Sequence, residues 1–211
     1  MIILQRVVSV VWAAVLALVI LNVGQRCWGA LLFTNLRVSP TIPWSAAAMA
    51  VVLWVMWQYL GGRWWPGSTA EVRRSNLRAS SVSSRTFAWA LVAGVFSIAA
   101  LSGLWIVLFQ VSRTPANALA DVSHYPLLTI VAMLLMASLV SPFTEEAAFR
   151  GYALSILARN FRPPTAIVIS SAMFAAGHLN WGFYWTKLSV YFLVGVAFAV
   201  IAHLANSIWP T

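Results

Sequence analysis

From Val7 to Val23 the chain presents apolar residues with no charge among them, and the pattern returns at Trp44–Leu60, Phe87–Val111, Pro126–Val140, Thr165–His178 and Leu188–Ala205. A hydrocarbon layer about 30 Å thick is crossed by about 20 apolar residues in helical form. Within it, backbone N–H and C=O groups find no partner except one another, so runs of this length leave helices or closed barrels as the available folds. The runs lack the alternation of a barrel strand. They predict an all-α fold, a polytopic transmembrane helical bundle of about six helices.

With 62% hydrophobic and 8% charged residues, no stretch is polar enough to form a separate soluble domain. Residues 1–211 are therefore read as a single membrane domain, with three N-terminal spans over 1–111 and a C-terminal part over 126–211. The first run follows Arg6, exceeds the core of a signal peptide and has no small-residue cleavage site after it, so it is read as a retained span.

The formal charge of +9 raises nucleic acid as a partner. The arginines are scattered between apolar runs and lie in no nucleic-acid-binding pattern, so no nucleic acid is expected and membrane lipid is. Between the second and third runs, residues 61–85 hold Arg63, Arg73, Arg74, Arg78 and Arg85 against one acid, Glu71. The positive-inside rule assigns this loop, and with it both termini, to the cytoplasm. The single cysteine, Cys27, excludes an internal disulfide. Trp28, Trp44, Trp57, Trp64, Trp65, Trp181, Trp185 and Trp209 fall near the ends of the runs, where indole rings anchor at the headgroup level.

The stretch "SPFTEEAAFRGYA", residues 141–153, breaks the apolar pattern. Two of only four acidic residues, Glu145 and Glu146, stand side by side there. A carboxylate at the bilayer centre costs roughly 2.5–3.5 kcal/mol, so the pair needs a partner, water or a task. Pro142 lacks the amide hydrogen of a continuing helix, which predicts a kink or restart, with Thr144 as N-cap of a helix from Glu145 to about Ala158. On that helix Glu146 and Arg150 share a face and form a favourable pair, whereas Glu145 is rotated away and stays free to act as a base.

The turn "ARNFRPPT" then predicts a hairpin with the fifth helix. Residues 145 and 178 are equidistant from its centre, so Glu145 and His178 should lie level, roughly 20 Å from the turn at about 1.5 Å per residue. A carboxylate and an imidazole at one buried level can deprotonate a water or bind a metal. Three other outcomes stay open on these residues alone: an ionic cluster that packs helices, an immunity or scaffold protein, and a small proton-coupled transporter.

"EEAAFRG" matches the signature Glu-Glu-x-x-x-Arg, and "FAAGH", Phe174 to His178, matches Phe-x-x-x-His. In this order, each in an apolar helix, they resemble the motifs of the CAAX-processing and bacteriocin-immunity (CPBP, Abi) family of glutamic-type intramembrane proteases. The resemblance covers roughly Pro126 to Thr211. It implies an intramembrane endopeptidase that cleaves a membrane-tethered peptide or protein, of CAAX or C-terminal sorting type, by a glutamate-activated water. By the same resemblance Glu145 would activate that water with His178, Glu146 and Arg150 would support the site, and Phe174 would pack against His178.

The family's third signature, His-x-x-x-Asn, has no match, because His203 and Asn206 are three apart. Aligned without gaps, the segment ending "ANSIWPT" resembles the one that precedes that signature, which would place the third motif beyond Thr211 and His203 outside the site. His124, beside Tyr125 and Pro126, reads as a surface residue. No cofactor is expected. Zinc, which Glu and His can ligate, is not favoured because no His-Glu-x-x-His spacing is present.

Overall fold

The computed structural model describes residues 2–112, 122–179 and 184–211. All regular structure in them is helical: α1 (Ile2–Val38), α2 (Trp44–Leu60), α3 (Ala70–Leu77), α4 (Ser84–Ser112), α5 (Leu127–Glu145), a π-helical segment (Glu146–Ala153), α6 (Leu154–Ala158), α7 (Pro163–Gly177) and α8 (Trp185–Ala205). Four continuous helical stretches, Ile3–Val38, Ser84–Ser112, Leu127–Ala158 and Trp185–Ala205, are long and apolar enough to cross a membrane. With the shorter apolar helices α2 and α7 they form a polytopic bundle, and the protein is integral to the membrane.

The first helix is much longer than the apolar run that predicts it. Its 37 residues extend for about 55 Å at about 1.5 Å per residue, because Asn22, Gln25 and Arg26 continue the helix instead of ending it. Two of them bond within it: Asn22 Nδ2 donates to Leu18 O at 2.8 Å and Arg26 Nε donates to Asn22 Oδ1 at 3.0 Å. This helix packs against α2, α5, the π segment, α6 and α7, so it is the central strut of the bundle.

At its far end the buried Asn35 organises the turn into α2. Its Nδ2 donates to Ser39 O (2.7 Å) and Ile42 O (2.9 Å), and its Oδ1 accepts from the backbone N–H of Ser45 at 2.9 Å, satisfying a donor that the start of α2 would leave open.

The break expected at Pro142 does not occur. Helix α5 runs through Pro142 to Glu145 and continues directly into the π segment. Thr144 is not an N-cap; its hydroxyl donates back to the Val140 carbonyl at 2.8 Å. Among packed helices without water, opening a whole turn strands several backbone groups, whereas one proline removes a single bond. The register shift follows in the widened π turn.

The core gathers on the C-terminal half. Ala147, Ala148, Phe149, Ala153, Leu154 and Leu157 are buried, together with Ala13, Ala17 and Ile20 of α1 and Ile167 and Phe174 of α7. A smaller cluster joins Trp28, Met49, Met136 and Val140. Trp28 is thus a core residue and not an interfacial anchor, because the long α1 carries it into the bundle. Trp57 likewise packs inward on Phe143 and Trp209, while Trp64, Trp65, Trp185 and Trp209 are exposed. Trp181 lies outside the described residues.

Arg73 also differs from its neighbours in the basic loop. It is buried and donates to the carbonyls of Trp64 (2.6 Å) and Pro66 (2.8 Å), which clamps the loop onto α3.

Candidate functional site

The π segment carries the two glutamates' surroundings. A π turn widens the helix and re-aims its side chains, a feature frequent at functional sites. Glu146 Oε1 and Arg150 Nη1 are 3.1 Å apart, the pair expected from their four-residue spacing. Arg150 is 1% exposed, and its guanidinium lies 4.2 Å from the Phe174 ring centroid and 5.6 Å from that of Phe198. The charge of Glu146 is therefore met by an ion in an aromatic cage, where a cation over a ring face gains electrostatically when water is excluded. Thr211 Oγ1 donates to the other carboxylate oxygen of Glu146 at 2.6 Å. Glu146 is fully engaged.

Glu145 faces elsewhere. It lines a cavity of about 570 Å³ with Ser141, Gly177, His178 and Tyr191, closed on one side by Leu18, Leu21, Asn22, Gln25 and Arg26 of α1. Ser141 Oγ donates to Glu145 Oε1 at 2.5 Å. Gln25 Nε2 reaches Ser141 Oγ at 3.3 Å and Thr144 Oγ1 at 3.4 Å, tying α1 to α5 beneath the carboxylate.

His178 caps the end of α7. Its Nδ1 lies 2.8 Å from the Phe174 carbonyl, a contact that makes Nδ1 the donor and leaves Nε2 as the acceptor. The ring is held between two aromatics: it stacks on Tyr191 at 4.0 Å and 20°, and lies 4.7 Å from Phe174. Phe174 in turn meets Phe149 edge-on at 5.3 Å. One phenyl ring thus contacts both the Arg150 guanidinium and the His178 imidazole, coupling the two halves of the motif pair.

Of the residues singled out by sequence, Glu145 and His178 share the cavity, and Glu146 and Arg150 form the buried pair behind it. His203, half-buried near the end of α8, is not among the cavity's lining residues, and His124 is exposed beside Tyr125. Ser141, Gln25, Arg26, Tyr191 and Thr211 went unnoticed in the sequence. Asn22, Gln25 and Arg26 did leave a signal, since polar residues three and four apart at the end of an apolar run share one helix face. No group of three His, Cys, Asp or Glu side chains able to hold a metal occurs among the described residues.

Two glycines permit this assembly. A Cβ on Gly151 would stand 3.0 Å from the Leu77 carbonyl oxygen and 3.4 Å from that of Asn76, so α3 can abut the π segment only at glycine. A Cβ on Gly24 would overlap the Thr144 side chain, so glycine also allows α1 to approach α5 beside the site.

Residues 127–211 match the family model described as type II CAAX prenyl endopeptidase Rce1-like. Over that span, about two fifths of its length, the chain is similar to the CAAX protease family. The match begins at the first residue of α5 and takes in the π segment, α7 and α8, hence Glu145, Glu146, Arg150 and His178; α1, which walls the cavity, lies outside it. No curated protein and no solved structure matches the chain. The likeness is thus to a family of membrane-embedded proteases, confined to the part of the chain that carries the motif pair.

Proposed function

We propose that the protein is an intramembrane endopeptidase that hydrolyses a membrane-tethered peptide by a Glu145-activated water. The observation that carries this reading is the shared cavity: Glu145 and His178 line one polar chamber in an otherwise apolar bundle.

In the proposed reaction the Glu145 carboxylate takes a proton from water as the water oxygen bonds to the scissile carbonyl carbon. His178 Nε2 accepts a hydrogen bond from the same water and fixes its orientation. The developing oxyanion is met by donors that line the chamber, the Gln25 amide, the Arg26 guanidinium and the Tyr191 hydroxyl. When the C–N bond breaks, the proton held by Glu145 passes to the leaving amine, and the carboxylate is restored. Glu146 and Arg150 act as positioning residues, through the backbone of the π segment and through Phe174.

Among the described residues the chamber offers Glu145 and His178 as His or carboxylate donors, whereas catalytic zinc takes three protein ligands. A metal-free reaction is therefore part of the proposal; chelator-induced loss of cleavage that zinc restores would overturn it. A prenylated or otherwise lipid-anchored tail is the proposed substrate class.

Arg63, Arg73, Arg74, Arg78 and Arg85 belong to one end of the bundle, as do Arg6, Arg159 and Arg162, and Arg37 and Lys187 to the other. That asymmetry supports a cytoplasmic placement of residues 61–85. Ser81→Cys in a Cys27→Ser background should react with an impermeant maleimide only after the cytoplasmic face is opened.

The deciding experiment is cleavage of lipid-anchored peptides by the purified protein in lipid discs, wild type against Glu145→Gln. Turnover that the variant loses supports a glutamate-driven hydrolase. A folded protein without turnover on any anchored peptide would indicate a scaffold or immunity role, and proton-coupled flux in liposomes a transporter.

A further inference from the structure

A second cavity lies at the basic end of the bundle, built from segments the proposed reaction does not use. It encloses about 450 Å³ and is lined by Gly61 at the end of α2, Arg63, the α3 residues Arg74, Ser75 and Leu77, then Arg78, Ala79 and Ser80, and Asn206 after α8. Three guanidinium groups line it and, among the described residues, no carboxylate does. Glu71, the acid nearest in sequence, is exposed and forms no ion pair among the described residues.

The walls are fixed by bonds between distant parts of the chain. Ser80 Oγ donates to Asn206 O and Ser207 Oγ to Ser80 O, both at 2.7 Å, and Ile208 N donates to Arg78 O at 3.1 Å. Arg78 sits in the left-handed region (φ 54) as the cap of α3, which turns its side chain toward the end of α8. There its Nη2 donates to Asn206 Oδ1 at 3.1 Å and to Ala202 O at 3.4 Å, leaving Nε and Nη1 without acceptors among the described residues. Arg63 rests over the Trp57 ring at 4.8 Å, a contact that uses its face and not its N–H donors. Arg74 is exposed and has no acceptor among the described residues.

These guanidinium groups line one cavity with no carboxylate beside them among the described residues. Burial moves the Arg78 guanidinium below its ordinary value, a shift that a bound anion would reverse. Planar guanidinium forks match the oxygens of a phosphate. Exposed Trp65 and Trp209 mark this end of the bundle as the headgroup level, and basic pockets between helices at that level take anionic headgroups. We infer that this cavity is a binding site for a phosphate-bearing anion, the headgroup of an anionic phospholipid, held by Arg63, Arg74 and Arg78. Through the segment 206–208 such a lipid would brace the end of α8 and the stretch leading to Thr211, the partner of Glu146.

The test uses the full chain, purified in detergent and titrated with a short-chain phosphatidylglycerol or phosphatidylcholine, with bound lipid counted by native mass spectrometry. Phosphatidylglycerol should be retained in preference to phosphatidylcholine. Arg74→Gln should weaken its binding about fivefold and Arg63→Gln/Arg74→Gln further, at about one charge contact per arginine. Arg37→Gln, an exposed arginine at the opposite end, makes the same charge change and should leave binding unaltered. Equal loss in Arg37→Gln and Arg74→Gln, or no preference between the two lipids, overturns the site. A parallel titration with inorganic phosphate separates the sources: displacement of the lipid at millimolar phosphate would keep the anion site and transfer it to a soluble ligand. Because binding is read without cleavage, failure here leaves the protease reading untouched, and failure of cleavage leaves this site standing.

Discussion

Helix α4 and the stretch Glu146–Leu157 are both parts of apolar spans, yet they occupy opposite environments. Along Ser84–Ser112 only Gly94 is buried, and side chains such as Trp89 (67% exposed) and Phe96 (72%) point outward. Along Glu146–Leu157, Phe149, Arg150, Leu154 and Leu157 are at most 1% exposed. The more hydrophobic helix is the one left to lipid, and the one that holds charges is the one enclosed by protein. In water the ranking would be reversed. In a bilayer, lipid tails solvate apolar side chains as well as a protein core does, so nothing drives α4 inward, whereas the charges of Glu146 and Arg150 need each other and the Phe174 and Phe198 rings close by.

The sharpest way to break this contrast is Glu145→Gln. If the enclosed stretch exists for chemistry, cleavage of an anchored peptide should fall by about a hundredfold or more while thermal stability stays near wild type. Loss of stability in step with activity would make Glu145 a packing residue.

Next comes Arg150→Met, which strands a buried carboxylate and should lower stability by about 3–5 kcal/mol, measured by unfolding in mixed micelles. Adding Glu146→Gln should restore part of that loss, since the uncompensated charge disappears. No recovery in the double variant would mean that Arg150 acts through Phe174 and Phe198 and not through its ion pair.

Gly151→Ala sharpens the comparison further. The added methyl meets the α3 backbone and should cost about 1–3 kcal/mol, whereas a glycine in the lipid-facing face of α4 such as Gly103, with nothing near its Cβ position, should accept alanine without loss. The smallest effect belongs to Phe96→Leu in α4, expected within about 0.5 kcal/mol of wild type in the same assay.

Several features were legible beforehand because they follow from local chemistry. The apolar runs gave the helices, with α2 recovered at its full extent, and the spacing of Glu146 and Arg150 gave their ion pair. Equal distance from the turn after α6 placed Glu145 and His178 level, and the two do line one chamber. Other features depended on what lies across the bundle. Pro142 was a plausible break until neighbouring helices made an open turn costlier than a missing bond. Trp28 resembled an anchor until α1 proved to continue past it. Arg73 resembled any other basic loop residue, yet it binds carbonyls from Trp64 to Pro66.

The sequence by itself determined that this chain enters the membrane as helices, which end is basic, and which few polar side chains are too costly to stand alone in lipid. Hydropathy and helical spacing are properties of single segments, and they carry that much. Only the tertiary structure decided which side of each helix meets protein, that Gln25 and Arg26 of α1 wall the chamber of Glu145 and His178, and that Thr211 completes the shell of Glu146. Those contacts join residues more than sixty positions apart, and lipid exerts no pull that would let one segment announce its partner in advance.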